Sequence, residues 1–185
     1  MISGGKRMEN SDWKNGRLPE ELAVYELLEK LEIPYTRVDH APAMTMEDCE
    51  AVDRKLGVVM CKNLFLCNAQ KTKFYMLLMP ADKKFKTKDL SKQIQSARLS
   101  FADAEHMEEY LHIHPGAVSV MGLMNDSENH VQLLFDKEIF DEEWLGCHPC
   151  VNTSSICLKM ADVLEKFLPA VHHDWREVDL PTVTE

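Results

Sequence analysis

The paired runs "CKNLFLCN" (61–68) and "KFYMLLMP" (73–80) constrain the fold more than any other feature. The second is apolar at nearly every position. A strand with one face in water alternates; a strand covered on both faces does not. These runs, joined by a short loop at Ala69-Gln70-Lys71, predict two strands, the second buried on both faces.

Helical signals surround them. Pro19-Glu20-Glu21 opens a helix, since proline suits the first turn and acids suit the dipole there. Val24, Leu27, Leu28 and Leu31 then make one apolar stripe, and Ile33-Pro34 stops it. "YTRVDH" predicts a short strand and "APAMT" a loop. Thr45 caps a helix through "MEDCEAVDRKLG", which Gly57 ends. "TKDLSKQIQ" and "DAEHMEEYLHI" predict two short helices, the second capped by Asp103. "HVQLLFDKEI" alternates, with Val131, Leu133 and Phe135 on one face. Ser155 to Met160 predicts another strand. Met160, Val163, Leu164, Phe167 and Leu168 predict a final amphipathic helix, and "REVDL" a last strand or tail. The sum is a mixed α/β fold in one domain, 19–180, behind a flexible N-terminal arm, 1–18.

The six cysteines form no regular framework, and the N-terminus lacks the apolar segment of a secretory signal. The expectation is free thiols in a cytoplasmic protein. No apolar run approaches the roughly 20 residues of a membrane span. Net charge is −10, which disfavours nonspecific binding to nucleic acid. From Lys71 to Arg98, however, eight Lys/Arg face two Asp, a local +6 that leaves −16 for the remainder. Such a strip engages a phosphate backbone locally, or it is a solvated lysine-rich face.

Several residues suggest chemistry. Lys62 sits in an apolar strand, where an ammonium must reach water at the strand end or an anion in a pocket. "HPGAVSVMGL" has Gly116 and Gly122 bracketing small residues, suited to a turn or to close approach of a ligand. "WLGCHPCVNTSS" contains Cys147-His148-Pro149-Cys150. A thioredoxin-type motif belongs between an early strand and a helix, and a zinc knuckle needs a second ligand pair. Neither context is present in the sequence, so no metal site is expected. His112-His114 and His172-His173 are expected at the surface.

Three stretches together resemble one family. "CKNLFL" is similar to its lysine-asparagine-leucine strand, "PGAVSVMGLMND" to its glycine loop, and "HPCVNTSS" to its His-Pro-x-x-Asn segment. "ARLSFADAEHMEEYL" is similar to its connecting helix. The chain resembles the YbaK/prolyl-tRNA synthetase editing-domain superfamily, and within it the freestanding Ala-tRNA(Pro) deacylases. The resemblance runs from about Leu22 to Leu180.

It implies a mixed, barrel-like sheet surrounded by helices. It also implies hydrolysis of a wrong aminoacyl ester at the tRNA 3′ end, without a cofactor. Lys62 would bind and position that end, with water as nucleophile. Asn63, the loop of Gly116, Ala117, Val118 and Ser119, and the wall of His148, Pro149 and Asn152 would shape the aminoacyl site. Met44, Thr45 and Met46 would size it. Val120 departs from the family pattern, which has proline there. Lys71, Lys73, Lys83, Lys84 and Lys86 would touch tRNA phosphates. The implied partner is the acceptor end of tRNA(Pro), with prolyl-tRNA synthetase a further candidate. A Cys-tRNA(Pro) deacylase and a noncatalytic tRNA-end binding module are the alternatives.

Overall fold

Eight strands form two sheets in the computed structural model, which describes residues 11–182. The five-stranded sheet has the order β4-β2-β3-β5-β8, built from β2 (Lys62–Asn68), β3 (Phe74–Met79), β4 (Leu99–Phe101), β5 (Val131–Asp136) and β8 (Trp175–Val178). β2 pairs antiparallel with β3 and β4, while β5 runs parallel to β3 and to β8. The three-stranded sheet is antiparallel, in the order β1-β7-β6, from β1 (Tyr35–Asp39), β6 (Trp144–Cys147) and β7 (Ser154–Lys159). A bridge between Met60 and Gly146 joins the sheets. The mixed α/β single domain expected from sequence is present, its barrel-like sheet realised as two sheets meeting at that bridge. A Cβ on Gly146 would lie 2.9 Å from Val58 Cγ1 and 3.2 Å from Met60 Sδ, so a larger residue there would force those side chains to shift.

All six residues of β3 are buried. Phe74, Met76 and Leu78 enter the larger core; Tyr75, Leu77 and Met79 enter a second core with Leu66, Leu90 and Leu134. This two-sided burial explains the unbroken apolar run.

The helices follow their local signals. α1 (Pro19–Lys30) has proline in its first turn. α2 (Met46–Leu56) starts with a reciprocal capping box between Thr45 and Asp48 and ends at Gly57 in the left-handed region, φ 80°. Losing such a cap costs about 1 kcal/mol. α3 (Thr87–Gln93) packs behind β4, and α4 (Ala104–Leu111) starts where Asp103 accepts from His106 N. The C-terminal helix runs as Met160–Asp162 (α5), a π-helical stretch Val163–Phe167, and Leu168–Ala170 (α6).

Three expectations need correction. The segment similar to a connecting helix, 97–111, contains the short strand β4 before α4. β6, the four residues Trp144-Leu145-Gly146-Cys147, carries no alternating apolar pattern in the sequence and is too short to show one. His173 is buried, with Nε2 3.0 Å from Asp126 Oδ2 and Nδ1 2.8 Å from Val171 O. The expected flexible arm lies partly outside the described residues, at 1–10; its remainder is docked. Trp13 meets Tyr25 edge-on at 5.0 Å, and Arg17 bonds Asp39 at 2.7 Å and also pairs with Glu21.

Candidate active site

Two cavities meet at the junction of the sheets. The smaller, about 370 Å³, is lined by Asn63, Phe65, Phe101, Gly116 and Val118 among others. The larger, about 950 Å³, is lined by Met46, Lys62, Pro80, Asp82 and Trp144 among others. Met60, Cys61 and His148 line both. The split follows from strand geometry, since Lys62 and Asn63 are consecutive in β2 and point to opposite faces.

In the smaller cavity, Asn63 Oδ1 accepts from Val120 N at 2.9 Å, tying the glycine loop to β2. A proline at position 120 would lack that N–H. Ser119 before it is extended, φ −151° and ψ 144°, as a residue preceding proline would be. The loop therefore keeps a proline-compatible backbone and uses the extra donor. Ser119 is fully buried, and its hydroxyl accepts from Met121 N at 3.1 Å. Ala117 is also buried, so its side chain packs the loop from behind. Gly116 has φ 93°, and a Cβ there would lie 3.6 Å from Asn152 Nδ2. The space is ordinary but the backbone conformation requires glycine. Residues 116 and 152, far apart in sequence, are thus brought together.

His148 is held from behind. Its Nδ1 donates to Ser154 O at 2.9 Å, and Ser155 Oγ lies 3.5 Å away. Ser155 Oγ is 2.8 Å from His40 Nε2, while His40 Nδ1 donates to Ala41 O at 2.8 Å. With Nδ1 donating to a carbonyl, a neutral His148 leaves its Nε2 unprotonated as an acceptor. Burial lowers the His148 pKa below its ordinary 6.5, so the ring is neutral near pH 7. Pro149 is buried and fixes the turn. His40 had no local signal: its partner Ser155 lies 115 residues away.

Lys62 Nζ donates to the backbone carbonyl of Lys83 and lines the larger cavity. The same cavity is lined by five carboxylates, Glu50, Asp53, Asp82, Glu142 and Glu143. Met44 and Met46 are 85% and 78% exposed, and Met46 borders this cavity. Thr45 serves as the cap of α2.

The expected phosphate-binding lysines separate into three groups. Lys83 is 3% exposed, so its assignment as an RNA contact is corrected. Its Nζ donates to Asp136 Oδ2 and Leu180 O, each at 2.8 Å. Burial opposes its charge, but the bonds to Asp136 and Glu138 outweigh burial and raise its pKa. Lys71 and Lys73 lie at the turn of the β2–β3 hairpin, the end opposite Lys62, about 20 Å along the strand. Lys71 pairs there with Asp103 at 2.8 Å. Lys84 and Lys86 are exposed and follow β3 on the Lys62 side.

The cysteine pair is chemically quiet. Cys147 and Cys150 are both buried and free. Burial pushes the Cys150 thiol up to about 12 and Cys147 well above its usual range. A redox-active cysteine needs the opposite, a stabilised thiolate. Cys61, between the cavities, is likewise raised to about 12 by burial.

Residues 40–166 match the family model of the aminoacyl-tRNA editing domain. The chain is 34% identical to the prolyl-tRNA editing protein ProX of Acetoanaerobium sticklandii, over 85% of this chain and 96% of that one. It is 27% identical to prolyl-tRNA synthetase associated domain-containing protein 1 of Danio rerio, over 80% of each chain. A crystal structure proposed as a trans-editing enzyme for prolyl tRNA synthetase superposes with a TM-score of 0.66 at 13% identity, over 89% of this chain and 98% of that one, a likeness of fold. With a matching family model that spans both cavities, the chain belongs to the aminoacyl-tRNA editing-domain family and is an aminoacyl-tRNA deacylase.

Proposed function

We propose that the protein edits tRNA(Pro) in trans, hydrolysing alanine from mischarged Ala-tRNA(Pro) in the cytoplasm. The observation that carries this reading is the meeting of two unlike cavities at Met60, Cys61 and His148. The smaller, uncharged cavity suits an aminoacyl group. The larger suits the terminal nucleotide, with Lys62 receiving its phosphate. Among the described residues lining that cavity, Lys62 is the one lysine or arginine beside five carboxylates. A phosphate is repelled elsewhere and attracted there, which fixes the register of the 3′ end.

The ester then lies at the junction. Water adds to its carbonyl carbon, the bond to the ribose oxygen breaks, and free amino acid and tRNA with a terminal hydroxyl result. The substrate's free ribose hydroxyl orients the water, and the neutral His148 ring offers Nε2 as a hydrogen-bond acceptor. No side-chain nucleophile is required. Burial raises the pKa of Cys61, the cysteine that lines both cavities, and Cys147 and Cys150 line neither, which supports this route over thiolate attack. The need for such an enzyme is physical: a synthetase gains only about 1–3 kcal/mol from one missing methylene.

The test is deacylation of tRNA(Pro) charged separately with alanine, cysteine, serine and proline. Faster loss of alanine supports the reading. Preferential loss of cysteine would reassign the substrate, and no turnover of any would remove catalysis.

A further inference from the structure

Lys83 and Lys62 form a relay that the reaction itself does not require. The Lys83 carbonyl accepts from Lys62 Nζ, while the Lys83 ammonium points away into the protein. There it donates to Asp136 Oδ2 and Leu180 O at 2.8 Å and lies 3.2 Å from Glu138 Oε1. Asp136 is fully buried at the end of β5, and its other oxygen accepts from Glu138 N at 3.1 Å. The backbone around Lys83 has a weaker local hold, a turn bond from its N–H to Pro80 O at 3.3 Å.

A buried ion pair contributes little net stability, because desolvation offsets the attraction. It is effective as a directional constraint, since the ammonium meets acceptors on two separate elements, β5 and the C-terminal segment. A lysine side chain has four rotatable bonds, so an ammonium in an open cavity samples many positions. One fixed carbonyl removes most of that freedom.

We propose that Lys83 is a positioning residue for Lys62: its buried pair with Asp136 fixes the turn after β3, and its carbonyl sets the direction of the Lys62 ammonium. This rests on the reading that Lys62 receives the 3′-terminal phosphate. Lys83 touches no substrate and acts only through Lys62.

A binding cycle tests it. The probe is an acceptor-stem hairpin of tRNA(Pro) carrying amide-linked alanine, which binds without turning over. Lys62→Ala weakens binding about tenfold, the loss of one charge-assisted contact. Lys83→Met weakens it by about three- to tenfold in the parent and adds nothing in the Lys62→Ala background. Thermal melting confirms folding. Where the single change leaves Asp136 unpaired and unfolds the chain, Lys83→Met with Asp136→Leu removes both charges and serves the same cycle. An equal loss in both backgrounds would show a general structural role and overturn the proposal, as would parent affinity in Lys83→Met. Parent binding and parent hydrolysis in Lys62→Ala would instead overturn the reading of Lys62 itself.

Discussion

The two cavities differ in what closes them. Among the described residues, no Asp, Glu, Lys or Arg lines the smaller one, whose wall includes the backbone of the glycine loop. The larger one is lined by five carboxylates and Lys62. Selectivity for a small apolar group needs shape, and shape is held best by backbone in a fixed conformation. Placement of a polyanion needs charge at one point and repulsion around it. On the proposed reading a single strand serves both needs, because consecutive residues of β2 face opposite ways.

The largest expected effect falls on the charged side. Lys62→Ala lowers kcat/KM for Ala-tRNA(Pro) by about 10- to 100-fold, read by single-turnover hydrolysis. On the backbone side, Gly116→Ala forces a Cβ onto φ 93°, a strain of about 1–2 kcal/mol. Hydrolysis should fall about tenfold while affinity for uncharged tRNA stays near the parent, because the phosphate is proposed to bind in the other cavity. Smaller still is Val120→Pro, which removes the donor to Asn63 at an expected cost of about 1 kcal/mol in thermal or denaturant unfolding. Equal stability would show that this bond does not hold the loop.

Outside both cavities, the His173–Asp126 pair should affect stability and leave activity alone. Burial opposes the His173 charge, but the bond to Asp126 prevails and raises its pKa above the ordinary 6.5. Its contribution is complete below 6.5 and is lost as pH rises through the raised folded value. The melting temperature should fall as pH is raised past neutrality, and His173→Gln should flatten that slope. The smallest effect belongs to Cys147→Ser with Cys150→Ser, which should leave deacylation largely intact; a large loss would return the thiols to the mechanism.

Features whose partners are near in sequence were legible. Thr45 and Gly57 bound α2 as their types require, and β3 shows its two-sided burial in composition alone. The resemblance assembled Asn63, Gly116 and His148, and the structure sets them around one cavity. Lys83 misled because a lysine in a basic run reads as solvated, and its partner Asp136 is 53 residues away. His40 and His173 were hidden for the same reason: their polar partners arrive through tertiary packing. The opposite facing of Lys62 and Asn63 was implicit in strand parity but carried no meaning until two separate cavities stood on either side.

The division of labour is tested most directly by the ratio of Ala- to Pro-tRNA(Pro) hydrolysis in Lys62→Ala and Gly116→Ala. Lys62→Ala should slow both substrates by the same factor and leave the ratio unchanged, whereas Gly116→Ala should change the ratio. A changed ratio in Lys62→Ala with an unchanged one in Gly116→Ala would contradict the assignment of amino acid and phosphate to separate cavities.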